Sequence, residues 1–492
     1  MSATNASTEK TSILIIGTGF SGLCMGVQLK KAGIEDFVLL ERGDDVGGTW
    51  RDNHYPGAAC DVPSTLYSFS FEPNPEWSRS FPTQPELFEY QRHVARKYGL
   101  TPHVRLKADV QECRYDETTK RWTVTAKDGR VFEGSVVVSG MGGLSNPSYP
   151  NIPGLDQFEG DSFHSATWNH DFDLLGKRVA VIGTGASAIQ FVPQIAGKVS
   201  ELHYFQRTPP WVLPKADGPV RGWEKAMFRA LPFTQKIYRA CVYGLRECYV
   251  LGFTAFPKVM AAVEWLAKAH IHRYVKDPVK RQQLTPNYRA GCKRVLLSND
   301  YYQAVARPNV NLVTDGIQEV RGKRVVTKDG TEREVDAIIF GTGFKIQELA
   351  PKGTFIGTAG RDLADVWQSG VEAYRGTTIS GFPNLFMMVG PNTGVGHTSI
   401  IYVIESQARY VVDAIKTMRD QKLGSVDVRP EVLKQYNDKV QSMLVGTVWN
   451  NGGCKSWYLS ENGRNNTLWP TFTFRFRSQL KSFDQASYQV KR

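Results

Sequence analysis

The chain has 492 residues, with 60 Lys and Arg against 48 Asp and Glu, which gives a formal net charge of +12. This length exceeds what one hydrophobic core usually holds, so two or three domains are expected. The composition is ordinary for a globular protein. No long run of Lys and Arg occurs, so the positive charge favours small anionic ligands over nucleic acid.

No stretch of 18 apolar residues without charge occurs, so no membrane span is expected. Residues 1–10 are small and polar, which predicts a flexible tail and not a signal peptide. The cysteines are odd in number and scattered, without the spacing of metal ligands, so we expect reduced thiols, no metal site and a cytoplasmic protein. The seven cysteines are Cys24, Cys60, Cys113, Cys241, Cys248, Cys292 and Cys454.

The first predicted unit is a strand at 13–16, a helix from about 20 to 32 and a second strand at 37–41. A glycine-rich turn joins the first strand to the helix and has the sequence Gly17-Thr18-Gly19-Phe20-Ser21-Gly22. In such a turn, backbone N–H groups bind phosphate at the start of the helix. Glu41 lies 24 residues after Gly17, at the end of the second strand. A carboxylate there accepts from ribose hydroxyls and repels a 2′-phosphate, so this unit predicts FAD.

The second predicted unit is a strand at 179–182, a helix from about 186 to 196 and a strand at 201–206. Its glycine-rich turn is Gly183-Thr184-Gly185-Ala186-Ser187-Ala188. The residue 24 positions after Gly183 is Arg207, followed by Thr208. A guanidinium binds phosphate through paired N–H groups, so this unit predicts NADPH. A protein that holds both dinucleotides transfers electrons from nicotinamide to flavin.

The two units share a weak internal repeat. Each is followed by a predicted hairpin with a Lys-Asp-Gly turn, at 127–129 and 328–330, and then by an apolar strand with a glycine-rich end. The sequence therefore predicts an α/β fold with two Rossmann-like dinucleotide-binding domains. The predicted FAD-binding domain is 1–145 with 345–492, and the predicted NADP-binding domain is 146–214 with 291–344, interrupted by a helical insertion at 215–290.

The predicted insertion is rich in aromatic residues. Packing against neighbouring helices is the interpretation we favour for them. An apolar tunnel or lid for substrate, or a patch that rests on a membrane surface, are the alternatives. The aromatic residues are Trp223, Phe228, Phe233, Tyr238, Tyr243, Tyr249, Phe253, Phe256 and Trp265.

The segment before the second unit, Phe158 to Asn169, fits the pattern F-x-G-x-x-x-H-x-x-x-W. It resembles the fingerprint of type I Baeyer–Villiger monooxygenases, which belong to the class B flavoprotein monooxygenases. Two further stretches resemble this family: Gly47 to Asp61, and the strand from Asp336 to Phe344. Two positions depart from it, because Asn169 replaces the usual Pro or Asp and Ala59 replaces a common Arg.

This resemblance implies an enzyme that uses NADPH and O2 to insert one oxygen atom next to a ketone carbonyl, through a C4a-peroxyflavin. The product is an ester or a lactone, and sulfoxidation is an expected side activity. The number of aromatics in the predicted insertion suggests a bulky apolar ketone. We expect a monomer or a weak homo-oligomer, and we leave peripheral contact with a membrane open.

The resemblance also implies roles for individual residues. Arg294 corresponds to the active-site arginine, which keeps the flavin peroxide deprotonated and stabilises its adduct. Asp61 pairs with Arg294 and orients it, although a turn-capping role is an alternative. His164 is either catalytic or part of the link between domains, and Trp168 is a packing anchor.

The remaining candidates bind the cofactors. Gly48 and Thr49 belong to the flavin motif, and Trp50 and Tyr67 lie along the flavin or substrate space, unless they are core residues. Lys293 joins Arg207 on the 2′-phosphate. Trp449 is expected to reach the nicotinamide side from a mobile loop, since Asn450 to Gly453 have the composition of a flexible segment.

Three other classes of protein remain as alternatives. A flavin-containing N- or S-oxygenase shares both nucleotide sites but needs no arginine-stabilised peroxide, although its corresponding linker aromatic is usually Tyr or Phe and not Trp. A two-domain reductase would need no oxygen, and its disulfide version would need a partner cysteine near Cys60. A non-catalytic flavoprotein that senses nicotinamide is the third.

Overall fold

The computed structural model describes residues 8–460 and 462–492. The first part of the chain contains β1 Glu9–Lys10, β2 Ile13–Ile16, α1 Phe20–Lys31, β3 Phe37–Leu40, α2 Thr49–Asp52, α3 Gln84–Lys97, β4 Val104–Arg105, β5 Val110–Asp116, β6 Arg121–Ala126, β7 Val131–Gly134 and β8 Val136–Ser139. The middle part contains β9 Asp161–His164, β10 Arg178–Ile182, α4 Ala188–Ile195, β11 Glu201–Phe205, β12 Val212–Leu213, α5 Gly222–Ala230, α6 Pro232–Thr254, α7 Met260–Tyr274, α8 Pro278–Leu284, β13 Leu296–Leu297, α9 Tyr301–Val305, β14 Val310–Val313, β15 Ile317–Arg321, β16 Arg324–Thr327, β17 Glu332–Glu334 and β18 Ala337–Phe340. The last part contains β19 Phe355–Ile356, α10 Leu363–Val366, β20 Leu385–Met387, α11 Ile400–Asp420, β21 Ser425–Val428, α12 Pro430–Leu444, α13 Val448–Asn451, α14 Thr473–Gln479 and β22 Tyr488–Lys491.

The first glycine-rich turn belongs to a five-stranded parallel sheet with the order β20-β8-β2-β3-β4. Strands β2 and β3 are short apolar runs, buried along their whole length. Such runs are typical of parallel strands covered on both faces. The turn follows β2 at the carboxyl edge of the sheet, where open α/β sheets bind their ligands.

The second glycine-rich turn belongs to a separate parallel sheet with the order β14-β11-β10-β18-β9. Helix α4 follows β10 and packs its apolar face into the core beneath this sheet. The prediction of an α/β fold with two Rossmann-like units is confirmed. The exact domain boundaries stay a prediction.

Antiparallel hairpins accompany both parallel sheets. The first predicted Lys-Asp-Gly turn joins β6 to β7, and the second joins β16 to β17. Strand β1 pairs with β7 through Glu9 and Lys10, so the predicted flexible tail is wrong for these two residues. Residues 1–7 of that predicted tail lie outside the described part of the chain.

Helices α5 to α8 occupy the stretch for which we predicted a helical insertion. Our interpretation of its aromatics as packing residues is wrong for six of them, because these side chains are 46% to 71% exposed. A helical pattern shows which residues share a face but not whether another element covers that face. The six are Trp223, Phe233, Tyr238, Tyr249, Phe256 and Trp265. Phe228 and Phe253 are buried as expected, and Tyr243 stacks on Tyr402.

Among the described residues, no single helix is long and apolar enough to cross a membrane. Helix α6 and the segment Pro257–Tyr274, which includes α7, pass that test of length and composition only when taken together, and the two are bent by 103°.

Candidate active site

The first glycine-rich turn has the shape that a bound diphosphate needs. Gly17 has φ +92°, and a Cβ there would lie 2.8 Å from the carbonyl oxygen of Gly140. A Cβ on Gly22 would lie 1.8 Å from the carbonyl oxygen of Gly17, so this glycine lets α1 approach the strand closely. A Cβ on Gly19 would meet nothing closer than 3.7 Å. The backbone at Gly19 is therefore open to a ligand at the start of α1, where Phe20 and Ser21 form the first buried turn.

This geometry predicts that Gly19→Ala folds but binds FAD poorly. The φ of −71° at Gly19 is accessible to alanine, and the added methyl contacts no protein atom closely. It would occupy the space that the diphosphate needs, so we expect the flavin content to fall by about tenfold with little change in melting temperature. Flavin absorbance per protein measures this, with Gly218→Ala as control, since a Cβ at Gly218 also meets open space. Full flavin content in Gly19→Ala would show that the diphosphate of FAD does not bind at this turn.

Glu41 lies buried at the end of β3, beside the first turn. Its carboxylate accepts hydrogen bonds from the N–H groups of Thr18, at 3.0 Å, and Gly43, at 2.8 Å. The guanidinium of Arg51, which the sequence analysis missed, donates to it at 2.7 Å and also pairs with Asp52. Glu41 is therefore held at the predicted ribose position by several fixed donors.

The flavin motif packs directly against the first turn. Gly48 has φ +50°, and a Cβ there would lie 2.9 Å from the Cα of Gly19. Thr49 and Trp50 begin the short helix α2. The indole N–H of Trp50 donates to the hydroxyl of Tyr67 at 3.2 Å, and the ring of Tyr67 meets that of Phe20 edge-on at 5.4 Å. These aromatic side chains form one wall beside the predicted flavin site.

The second glycine-rich turn repeats the same geometry. Gly183 has φ +106°, and a Cβ there would lie 2.4 Å from the carbonyl oxygen of Gly341, whereas one on Gly185 would meet nothing closer than 3.8 Å. Ser187 lies at the N-terminus of α4. The hydroxyl of Thr184 donates to the carbonyl of Thr208 at 3.0 Å and so ties the turn to the predicted 2′-phosphate position.

Two cations, Arg207 and Lys293, lie near each other at that position. Burial lowers the pKa of Lys293, and the neighbouring positive charge of Arg207 lowers it further. Arg207 and Thr208 line a cavity of about 670 Å³, together with Pro209, Gln282, Gln283, Thr285, Pro286 and Asn287. Within the described residues, neither cation forms a salt bridge with a carboxylate. Two neighbouring positive charges without a carboxylate partner suit a phosphate dianion.

Arg294 and Asp61 form a two-pronged ion pair. The Nε and Nη2 atoms of Arg294 donate to the two carboxylate oxygens of Asp61 at 2.6 and 2.8 Å. Burial opposes the ionisation of Asp61, but the charge and hydrogen bonds of Arg294 hold the pKa of this carboxyl below its usual value. The carboxylate in turn raises the pKa of Arg294. This guanidinium is therefore permanently charged and fixed in orientation.

The ion pair joins the two halves of the molecule. Asp61 follows the flavin motif, whereas Arg294 follows Lys293 near the second unit. Gln190 on α4 holds the Asp61 segment, since it accepts from the hydroxyl of Tyr55 at 2.8 Å and donates to the carbonyl of Ala59 at 2.9 Å. The site is thus assembled from both nucleotide-binding units.

The structure adds two residues that the sequence did not reveal. Lys215 lies near Asp61, and burial lowers the pKa of its ammonium group, while the carboxylates of Asp217 and Asp61 oppose that shift. Tyr458 lies near Arg294 and is buried, which raises its pKa to about 12. Neither residue belongs to a motif, and both are far from Asp61 and Arg294 in sequence.

Among the described residues, His164 makes no hydrogen bond or ion pair with Arg294 or Asp61. It is fully buried at the end of β9, between the rings of Tyr149 and Phe344, and its Nδ1 accepts from the N–H of Ala166 at 3.1 Å. Burial lowers the pKa of the ring, which is therefore neutral near pH 7. Trp168 packs edge-on against Phe163, in agreement with the predicted anchor.

Trp449 is buried against Phe253, with ring centroids 5.5 Å apart. It lies in α13, so the predicted flexible loop is wrong for Asn450 and Asn451, which belong to this helix. Close by, Cys292 and Cys454 form a disulfide, which corrects the expectation that every cysteine is a free thiol. The spacing of the cysteines in the sequence did not indicate this disulfide, because 162 residues separate Cys292 and Cys454. The bond ties the segment before Lys293 and Arg294 to the segment after α13.

Comparison with known proteins agrees with this site. A curated Baeyer–Villiger monooxygenase of Pseudomonas aeruginosa is 50% identical over 99% of this chain and 93% of its own length. Another, from Streptomyces coelicolor, is 50% identical over 98% of this chain and 93% of its own length. A solved structure of OTEMO in complex with FAD and NADP has a TM-score of 0.88 at 27% identity, and the match covers 98% of this chain and all of that one.

Fold and site together define a flavoprotein with one FAD site and one NADP site. The sequence model of the flavin-binding monooxygenase-like family matches residues 10–443, and the chain belongs to this family. The resemblance to Baeyer–Villiger monooxygenases and the prediction of FAD and NADPH as cofactors are confirmed.

Proposed function

We propose that this enzyme uses NADPH and O2 to convert an apolar ketone into an ester or lactone, with Arg294 as the residue that stabilises the reacting oxygen atoms. The observation that carries this proposal is the Arg294–Asp61 pair, a fixed cation built from both nucleotide-binding units. FAD, when bound and reduced by NADPH, supplies activated oxygen for insertion. Sulfoxidation is expected as a side activity.

Arg294 has donors left for a substrate. Asp61 uses Nε and Nη2, whereas Nη1 makes no hydrogen bond with the described residues. Negative charge develops on the carbonyl oxygen of a ketone when a nucleophilic oxygen adds to it. A guanidinium that is already oriented stabilises that charge without reorganisation. Asp61 acts as the positioning residue, since it fixes the plane of the guanidinium.

The other site residues bind or position the cofactors. Arg207 and Lys293 hold the 2′-phosphate of NADPH, and Glu41 holds the ribose of FAD. The buried, neutral His164 fixes the linker that carries Trp168, and so acts as a positioning residue. Trp449 closes the nicotinamide side, where the disulfide of Cys292 and Cys454 restrains it. We propose that the FAD-binding domain is 1–145 with 345–492 and that the NADP-binding domain is 146–214 with 291–344. Residues 215–290 form the helical insertion in this proposal.

We also propose a cellular location, an assembly state and co-substrates for the enzyme. The enzyme works in the cytoplasm, where NADPH is regenerated, as a monomer or weak homo-oligomer. Its co-substrates are O2 and a bulky apolar ketone.

The test is NADPH oxidation by the purified flavoprotein with a panel of cyclic, linear and aryl ketones, followed by mass analysis of the products. We expect at least one ketone to gain one oxygen atom as an ester or lactone. Formation of sulfoxides and N-oxides with no ester from any ketone would instead identify an N- or S-oxygenase. NADPH oxidation without oxygen consumption would identify a reductase.

A further inference from the structure

Helix α6 carries a row of exposed apolar side chains along its outer half. Phe233, Ile237, Leu245 and Tyr249 are 46% to 60% exposed, and the exposed Cys241 completes the repeat of every fourth residue. At 3.6 residues per turn, each step of four residues turns by about 40°, so the row drifts across the outer half of α6, opposite the buried Glu247, Val250 and Phe253. The row therefore extends along most of α6, a helix of about 34 Å at 1.5 Å per residue.

Exposed apolar side chains also occur past the bend, in the turn and on α7. Phe256 in the turn is 59% exposed, and Trp265 on α7 is 71% exposed. We call Phe233, Ile237, Leu245, Tyr249, Phe256 and Trp265 the apolar ridge. Soluble monomers rarely expose contiguous apolar surface of this kind unless it contacts a partner or a membrane.

The exposed charges carried by this helix pair itself have one sign. Within 232–274, the exposed charged side chains are Lys236, Lys258, Lys268 and Arg273. Both carboxylates of this stretch are turned away from the ridge. Glu247 is buried and accepts from the N–H of Thr473 at 2.8 Å, and Glu264 accepts from the N–H of Ala290 at 3.1 Å and pairs with Arg289.

The inner face of α6 is fixed to the protein. Glu247, Val250 and Phe253 are buried there. A helix pair whose inner face is packed in this way cannot leave the protein to cross a bilayer, but its outer face is free to lie on one. An apolar face rimmed by cations is the arrangement that binds the interface of an anionic membrane.

We propose that the apolar ridge docks this enzyme on the surface of anionic lipid bilayers, with the aromatic and aliphatic side chains inserted at headgroup level and the lysines on lipid phosphates. A second copy of this chain is a poorer occupant. Its net charge is also +12 and its ridge also carries cations, so two ridges placed face to face would repel each other.

The experiment is co-sedimentation of the FAD-loaded enzyme with vesicles of phosphatidylcholine alone or mixed with phosphatidylglycerol. Wild type is expected to sediment with the mixed vesicles and to be released by high salt. Ile237→Glu/Leu245→Glu should lower the binding by at least about tenfold on both kinds of vesicle. Lys236→Gln/Lys268→Gln should lower it only on the anionic ones.

The matched control is Leu106→Glu/Leu175→Glu, which places two carboxylates at exposed leucines outside the ridge. This control should bind vesicles as wild type does, and all variants should keep the flavin content and NADPH oxidation rate of wild type. The proposal is overturned if wild type stays in the supernatant with both kinds of vesicle, or if the ridge and control variants bind equally. The wild type could instead form a dimer and bind neither kind of vesicle. If Ile237→Glu/Leu245→Glu converted that dimer to a monomer, the ridge would be a site of self-association.

Discussion

Arg294→Ala is expected to abolish ester formation while the enzyme still binds both cofactors. Removing one preorganised donor of this kind costs about 100- to 1000-fold in turnover, and Arg294 also supplies the positive charge. Flavin reduction by NADPH should remain, because neither the first turn nor the Arg207–Lys293 pair is altered. The measurements are ester yield per NADPH consumed and the rate of flavin reduction under anaerobic conditions.

The removal of Arg294 also leaves the carboxylate of Asp61 without its partner, which is destabilising by itself. Arg294→Ala/Asp61→Asn controls for this, since it removes both charges and should recover melting temperature but not ester formation. Asp61→Asn alone should keep part of the activity, because the cation remains but loses its fixed orientation. An Arg294→Ala enzyme that still makes esters at the wild-type rate would refute the proposed role.

Arg207→Ala and Lys293→Ala are expected to remove the preference for NADPH over NADH. A hydrogen bond between charged groups contributes about 1.5–3 kcal/mol, so each change should raise the KM for NADPH by roughly 10- to 100-fold. The KM for NADH, which lacks the 2′-phosphate, should hardly change. Steady-state oxidation of both nucleotides measures the ratio directly.

Arg105→Ala is the matched control, because Arg105 pairs with Glu9 at the edge of the first sheet, away from the predicted 2′-phosphate site. It should leave both KM values unchanged. If Arg207→Ala raised the KM for NADPH and for NADH equally, this residue would support the fold of the site and would not bind the 2′-phosphate.

The sequence predicted the elements whose signals are local. Strand β2 matches its predicted residues, and α1 ends one residue before the predicted end, because apolar runs and glycine-rich turns act on neighbouring backbone. Glu41 and Arg207 were found by counting from a glycine, since a βαβ unit has a nearly constant length. Arg294 and Asp61 came from family resemblance.

Lys215, Tyr458 and the disulfide could not be predicted, because each depends on contacts between distant parts of the chain. Tyr458 and Arg294 are far apart in sequence, and only the folded chain brings them near each other. The exposed aromatics of α6 and α7 show a related limit. The sequence analysis predicted that they pack against neighbouring helices, but no local signal says whether a helix face stays uncovered.

We expect one oxygen atom of O2 to be inserted next to a ketone carbonyl. The most direct measurement is turnover of a responsive ketone under ¹⁸O₂ in ordinary water, followed by mass analysis of the ester and its hydrolysis products. We expect one labelled atom, which remains with the alcohol when the ester is hydrolysed, because that oxygen was inserted between carbon atoms. An unlabelled product, or label found only in hydrogen peroxide, would contradict the account.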